Sequence, residues 1–122
     1  MSYQHILVAV DGSPTSNHAV TEAAGLAKAS GGRIRLLNVM DPVAHISGFE
    51  RPDVYSQEVL PRLRQAGEAL LRRAQERVAQ SGVPVDTVLI ENLDARVADL
   101  AVEHAQAWGA DLIVLGTHVR RG

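Results

Sequence analysis

Two short polar segments, each placed directly after an apolar run, hold the residues whose types and spacing could do chemistry. The first follows residues 6–10 and consists of Asp11, Gly12 and Ser13. The second follows residues 112–115 and contains Gly116, Thr117, His118 and Arg120. A carboxylate can accept a hydrogen bond from a ribose hydroxyl or hold a phosphate through Mg²⁺, and glycine amides beside cationic groups can bind an anion. Together the segments favour a site for a small phosphate-bearing ligand.

Each of these features also has a purely structural explanation. Asp41, which follows the second strand, is a single carboxylate that could bind a ribose hydroxyl or Mg²⁺ as Asp11 could. An acidic residue in a turn, however, more often caps the following helix, which applies to Asp11, or lies in solvent, which applies to Asp41. A single glycine after a strand usually only makes a turn, and Arg120 and Arg121 could simply be solvated. The residues alone leave both explanations open.

The composition and the absence of other motifs exclude several kinds of site. The 122 residues contain no cysteine, which excludes disulfides, thiol catalysis and thiolate metal sites. The five histidines lack metal-ligand spacing, no G-x-G-x-x-G or G-x-x-x-x-G-K-[ST] pattern is present, and Ser13 has no catalytic base in a nucleophile-elbow context. We therefore expect no catalytic residues and no metal site other than Mg²⁺ held through Asp11.

The charge and hydropathy of the chain limit its partners. A net charge of −2 gives no general attraction to nucleic acid or to acidic membranes. No apolar run approaches the roughly 20 residues that cross a bilayer, and the polar amino terminus does not resemble a secretory signal. We expect no nucleic-acid or membrane partner and a cytoplasmic location.

A regular alternation of strands and helices must position the two polar segments. Apolar runs predict strands at residues 6–10, 33–40, 83–91 and 112–115. Apolar stripes and capping signals predict helices at 14–30, at about 57–81 and at 95–108. The order β-α-β-α-β-α-β predicts one α/β domain over residues 1–122, a doubly wound parallel sheet with strand order 3-2-1-4 and helices on both faces.

Three side chains on these elements receive structural predictions. Arg33 and Arg35 alternate outward at the start of the second strand, as on a sheet edge or at an exposed strand start. Trp108, beside a helix-ending glycine, is predicted to be a packing anchor and not a base-stacking surface.

Three segments of the chain resemble the universal stress protein family. They are HILVAVDGS at 5–13, LLNVMDP at 36–42 and ADLIVLGTH at 110–118. Each segment alone would not be specific, but the three occur in the family's order and at its separations across the whole chain. The resemblance implies a Rossmann-like, adenine nucleotide alpha hydrolase-like fold.

The resemblance also implies where a nucleotide would bind. In family members that bind ATP, adenine and ribose lie at the ends of the first two strands, which corresponds here to Ala9, Asp11 and Val39. The phosphates lie in a loop of pattern G-2x-G-9x-G-[ST], which here starts at Gly116 and takes in Thr117, His118 and Arg120. The implied function is a homodimeric or higher oligomeric stress-response module regulated by ATP with Mg²⁺, with at most slow ATP hydrolysis.

Two departures from the family pattern favour an alternative. Val119 stands where the second glycine of the loop is expected, and a β-branched residue resists positive φ. The third glycine would fall beyond Gly122, and we expect a protein of this type to continue into a helix and a fifth strand. The alternative is a universal stress protein that binds no nucleotide and acts as a dimeric protein-interaction module.

Overall fold

In the computed structural model, the described residues are 3–40, 60–91 and 97–115, and these form four strands and three helices. The strands are β1 (His5–Ala9), β2 (Arg33–Met40), β3 (Val85–Glu91) and β4 (Leu112–Leu115). The helices are α1 (Pro14–Ser30), α2 (Leu60–Ala79) and α3 (Val97–Trp108). None of these three helices is both long enough and apolar enough to cross a bilayer. The bounds of β2 and β4 are as predicted, and β3 begins two residues later than predicted. The predicted starts of α2, at about residue 57, and of α3, at residue 95, lie outside the described residues.

The four strands form one parallel sheet in the order β3-β2-β1-β4, which confirms the predicted fold class and topology. Ala9 at the end of β1 lies opposite Leu37 of β2 and Leu115 of β4. Because all four strands run in the same direction, their carboxyl ends meet at one edge of the sheet. The loops that follow β1, β2 and β4 therefore start at that edge.

Both faces of the sheet are buried, each by different helices. Alternate residues of β1 and β2, among them Ile6, Val8, Ile34 and Leu36, pack with α1 and α2. Leu7 and Leu37 pack with α3 on the other face. Two buried faces explain why residues 6–9 of β1 are a continuous apolar run without the polar alternation of a half-exposed strand.

Local signals fix both ends of α1. The Oγ of Ser13 accepts a hydrogen bond from the amide of Ser16 at 3.1 Å, and Pro14 occupies the first helical turn, where its missing N–H is not needed. At the other end Gly31 adopts φ 70° and its N–H donates to the carbonyl of Ala27. The predicted start and stop of this helix are confirmed.

A carboxylate joins the start of β4 to the start of β1. Asp111 accepts hydrogen bonds from the amides of Gln4 at 3.0 Å and His5 at 2.8 Å, and its own amide donates to the His5 carbonyl at 2.9 Å. The bonds from Gln4 and His5 hold the pKa of Asp111 below its ordinary value. These contacts set the register of a strand that is only four residues long.

The sheet-edge interpretation of Arg33 and Arg35 is wrong, because β2 lies between β1 and β3. Arg33 is exposed at the strand start, but Arg35 is half-buried. The Nε and Nη2 of Arg35 donate to the two carboxylate oxygens of Asp86, its register partner on β3, at 2.9 and 3.0 Å. These hydrogen bonds lower the pKa of Asp86 and raise that of Arg35.

Trp108 is a packing residue, as predicted, since it lies against the apolar cluster beneath α3. Its ring also lies 4.6 Å from the guanidinium carbon of Arg35 and meets the ring of His5 edge-on, with 5.0 Å between centroids. Trp108 covers one face of the Arg35 guanidinium through the cation–π contact, and the Asp86 carboxylate pairs with the N–H groups and balances the positive charge. A charged side chain on the α3 face of the sheet is thereby accommodated.

Helix α2 approaches the sheet closely at Gly67. A Cβ atom placed on Gly67 would lie 2.8 Å from Cδ1 of Leu89 and 2.9 Å from Oδ1 of Asn38. By contrast, a Cβ on Gly25 of α1 would meet no atom within 4 Å. A methyl group at position 67 therefore requires that Leu89 and Asn38 shift, whereas at position 25 it meets open space.

Replacing each of these two helical glycines with alanine should change the free energy of unfolding in opposite directions. Gly25→Ala should raise the free energy of unfolding by about 0.5–1 kcal/mol, because alanine is the better helix former. Gly67→Ala should lower it by about 1–3 kcal/mol, because the new methyl group forces α2 away from β2 and β3. Urea unfolding of the two variants and the parent measures both changes. A gain of stability in Gly67→Ala would contradict the close-approach explanation.

Candidate functional site

A cavity of about 260 Å³ opens at the carboxyl ends of β1 and β2, where α2 crosses above them. The strand side is lined by Asp11, Asn38, Val39 and Met40. The helix side is lined by four residues of α2, namely Leu63, Ala66, Gly67 and Leu70. In a doubly wound sheet this edge is the usual position for a ligand.

Two of the predicted site residues, Asp11 and Val39, come together around this one cavity. Ala9 is buried as the last residue of β1, one position before Val10, and does not line the cavity. The remaining predicted residues, Gly116, Thr117, His118 and Arg120, lie outside the described residues, as do Asp41 and Val119.

The start of α1 determines where the carboxylate of Asp11 lies. Its Oδ1 accepts a hydrogen bond from the amide of Ser13 at 2.9 Å, and its own amide donates to Oγ of Ser16 at 3.1 Å. Gly12 adopts φ 83° between them, a conformation that side chains with a Cβ rarely adopt. Asp11 therefore does not cap the helix itself, since Ser13 does, but it bonds to the capping residue. It remains exposed, so that a ligand can reach its carboxylate.

Asn38 holds the ends of β1 and β2 together and was not singled out in the sequence. Its side chain is only 9% exposed, and its Nδ2 donates to the Val10 carbonyl at 2.8 Å. Val10 in turn donates its amide to the Leu37 carbonyl at 2.8 Å. A signal was available, because an amide in the middle of a buried apolar strand requires an internal partner.

Ser16 is a second residue of the site that the sequence did not point to. It is fully buried, and it accepts from Asp11 through its hydroxyl while donating from its amide to Ser13. Its position three residues after the capping serine is a weak signal, since many helices carry a hydroxyl residue in the first turn.

The electrostatics of the cavity suit a ligand group that donates hydrogen bonds. Among the described residues that line it, Asp11 carries the only charge and the other side chains are apolar apart from Asn38. A base amine or a ribose hydroxyl fits such a surface, and a phosphate group does not. No group of three metal-ligating side chains occurs within residues 3–40, 60–91 and 97–115. Asp11 offers one carboxylate, and Mg²⁺ in proteins commonly takes its other ligands from water and phosphate oxygens.

Comparisons with known proteins identify similar sequences and structures. The chain matches the model of the family described as the universal stress protein family over residues 2–122. It is 34% identical over 118 residues to a putative universal stress protein of Staphylococcus epidermidis, which covers 96% of this chain and 68% of that protein. A crystal structure of a protein from the universal stress protein family of Burkholderia pseudomallei has a TM-score of 0.79 at 34% identity, covering 95% of this chain and 83% of that one.

Three further solved structures share the fold and were determined with adenine nucleotides. One is a universal stress protein in complex with cAMP. It has a TM-score of 0.62 at 24% identity and covers 93% of this chain and 71% of that one. The second is a universal stress protein from Archaeoglobus fulgidus in complex with dAMP. It has a TM-score of 0.65 at 21% identity and covers 94% of this chain and 82% of that one. The third is a universal stress protein family protein from Arabidopsis thaliana with AMP bound. It has a TM-score of 0.66 at 17% identity and covers 93% of this chain and 76% of that one.

The same substitution should have very different effects at two asparagines. Asn38→Asp keeps the side-chain shape but replaces the amide donor with an acceptor facing the Val10 carbonyl. It should lower the free energy of unfolding at pH 7 by about 1–3 kcal/mol, and the loss should shrink as falling pH protonates the new carboxylate. Asn17→Asp on the exposed surface of α1 should change the free energy of unfolding by no more than about 0.5 kcal/mol. Urea unfolding at several pH values measures both; equal effects would exclude the proposed role of Asn38.

Proposed function

The chain belongs to the universal stress protein family, and from that premise we propose that it binds an adenine nucleotide at the carboxyl ends of β1, β2 and β4. The observation that carries the proposal is the single cavity shared by Asp11 and Val39. The nucleotide complexes of three proteins with this fold support the choice of ligand class. Nucleotide occupancy would then act as a signal in a stress response.

The base and the ribose are the parts of the ligand assigned to the cavity. Val39, Met40 and Leu63 offer apolar contacts to a ring, and the exposed carboxylate of Asp11 can accept from a ribose hydroxyl or a ring amine. The cavity volume of about 260 Å³ lies at the lower end for ligand sites, which suits a nucleoside better than a whole triphosphate. Phosphates must therefore extend out of the cavity.

We assign the phosphates to the segment that follows β4. Leu115, the last residue of β4, lies opposite Ala9 at the end of β1. The segment comprises Gly116, Thr117, His118 and Arg120. Glycine and threonine amides with a guanidinium group are donors that bind phosphate oxygens, and ATP would bring Mg²⁺ as the counterion of its phosphates. Val119 within this segment favours ligands with few phosphates, because its β-branched side chain opposes the turn that a longer phosphate chain needs.

The proposed role is that of a binding module with at most slow ATP hydrolysis. Asp11 is the single charged group among the described lining residues, and its carboxylate already accepts from the Ser13 amide. A carboxylate fixed in this way can orient a ligand. It is poorly suited to activate a water molecule, since that requires a base free to accept a proton.

Removing the charge of Asp11 should weaken nucleotide binding without disturbing the fold. Asp11→Asn keeps an oxygen that can accept from Ser13, but it loses the charge-assisted hydrogen bond to the ligand. The affinity for AMP and for adenosine should fall equally, by about tenfold or more, as measured by isothermal titration calorimetry. The control Glu22→Gln removes one exposed carboxylate from α1 and should leave both affinities unchanged.

Two results would contradict this proposal. One is the absence of AMP and adenosine binding to the parent chain. The other is an unchanged affinity in Asp11→Asn with circular dichroism that matches the parent.

A second candidate function, self-association as an interaction module, is favoured by the outer side of β4. Among the described strands β4 pairs only with β1, and Leu115 is 41% exposed. An unpaired strand edge with apolar side chains is a common surface for association. We propose a homodimer or higher homo-oligomer through this edge.

Two leucines of equal exposure test self-association. Leu115→Lys on β4 should shift the protein towards monomer in analytical ultracentrifugation, because the charge cannot be buried at an interface. Leu26→Lys on α1, where Leu26 is 42% exposed, should leave the oligomeric state unchanged. A monomeric parent at high concentration, or equal dissociation in both variants, would exclude the β4 edge as the interface.

A further inference from the structure

A second cavity, a groove of about 270 Å³, lies between α1 and α2, outside the proposed nucleotide cavity. Its apolar part is formed by Val10, Val20 and Ala74, which belong to the core beneath the two helices. Its polar rim is formed by Arg73 and Arg77 of α2 and by Asn17 of α1. The groove therefore combines an apolar floor with two guanidinium groups.

The two arginines are placed to act together. Arg73 and Arg77 are one helical turn apart, so both project from the same side of α2. The Nη1 of Arg77 donates to the backbone carbonyl of Asn17 at 3.3 Å, which directs this guanidinium across the groove towards α1. Among the described lining residues these arginines are the only charged groups. The groove is thus cationic.

The groove and the cavity at the strand ends have opposite electrostatic character, although they adjoin each other. Leu70 lines both, and the adjacent residues Asp11 and Gly12 line the cavity and the groove respectively. The strand-end cavity carries a carboxylate, and the groove carries two cations. A ligand suited to one is therefore poorly suited to the other.

The helix that forms one wall of the groove is rich in arginine. Helix α2 contains five arginines and two glutamates, in a chain with a net charge of −2. A cationic helix on an otherwise acidic protein attracts anions to that surface. Guanidinium groups bind phosphate and carboxylate oxygens in bidentate geometry, which a point charge does not provide.

We propose that the α1/α2 groove is a second ligand site, distinct from the nucleotide cavity, which binds a small organic anion. The phosphate or carboxylate group of the ligand pairs with Arg73 and Arg77, and its apolar body lies on Val20 and Ala74. The groove is close in volume to the strand-end cavity, about 270 Å³ against about 260 Å³, so it holds one small molecule no larger than a nucleoside.

The first test compares four probes at constant ionic strength. Phenyl phosphate and benzoate should bind the parent protein in calorimetric titrations and should shift the methyl NMR signals of Val20 and Ala74. Inorganic phosphate should bind at least about tenfold more weakly, because it makes no apolar contact, and phenol should give no measurable binding. Equal affinities for phenyl phosphate and inorganic phosphate, or shifts that miss Val20 and Ala74, would overturn the proposal.

The second test replaces the two guanidinium groups with neutral, polar side chains. The double variant Arg73→Gln, Arg77→Gln should bind phenyl phosphate at least about tenfold more weakly than the parent. The double variant Arg62→Gln, Arg72→Gln, which removes the same two charges from α2 at residues outside the groove, should bind it as the parent does. Circular dichroism establishes that both variants are folded. Similar losses in the two variants would mean only general attraction to α2, which overturns a specific site.

A third measurement separates the groove from the nucleotide site. The double variant should retain the parent's affinities for adenosine and for AMP. If it lost affinity for AMP and kept that for adenosine, the groove would be the phosphate part of the nucleotide site, and the proposal of a distinct site would be overturned. If the parent bound phenyl phosphate but no nucleotide, the groove would stand and the proposed function would fail.

Discussion

The backbone carbonyl of Val10 is the group on which the geometry of the site depends. It lies one residue beyond β1, in the buried interior, where an unpaired carbonyl would cost about 1–3 kcal/mol. The side chain of Asn38 supplies the missing donor at 2.8 Å, and the absent side chain of Gly67 leaves room for that amide beneath α2. One hydrogen bond and one glycine thus join β1, β2 and α2 at the place where the cavity opens.

From this junction the chain passes directly into Asp11, the charged residue of the proposed nucleotide cavity. Asp11 follows Val10, and its amide and carboxylate are both held by serines at the start of α1. The same residues that begin the helix therefore orient the carboxylate. Leu70 then separates the resulting cavity from the cationic groove, so that two surfaces of opposite charge share a single apolar wall. Nucleoside and anion recognition are thereby assigned to neighbouring but different parts of the molecule.

Features that depend on local patterns and on topology were predictable from the sequence. β1, which is buried on both faces, is an apolar run, and parallel strands place the ends of β1 and β2 at one edge, so Asp11 was expected to lie near the end of β2. Val39 itself was predicted only from what the family resemblance implies. Asn38, an amide within a buried strand, signals that it needs an internal partner, but that partner, Val10, lies 28 residues away and could not be identified from the sequence. Arg35 looked like an edge residue because its neutralising partner Asp86 is separated from it by 51 residues and is aligned only by the register of β3. The packing role of Gly67 likewise depends on the helix position and not on its neighbours in sequence.

A crystal structure of the protein grown with AMP tests the central claim most directly. The account predicts the base between Val39 and the apolar face of α2, with a ribose hydroxyl or ring amine within about 3.2 Å of the Asp11 carboxylate. It also predicts that the Asn38 bond to Val10 is unchanged, since that bond forms the wall of the cavity before the ligand arrives. AMP bound elsewhere, for example with its base in the α1/α2 groove and no contact to Asp11, would contradict the account.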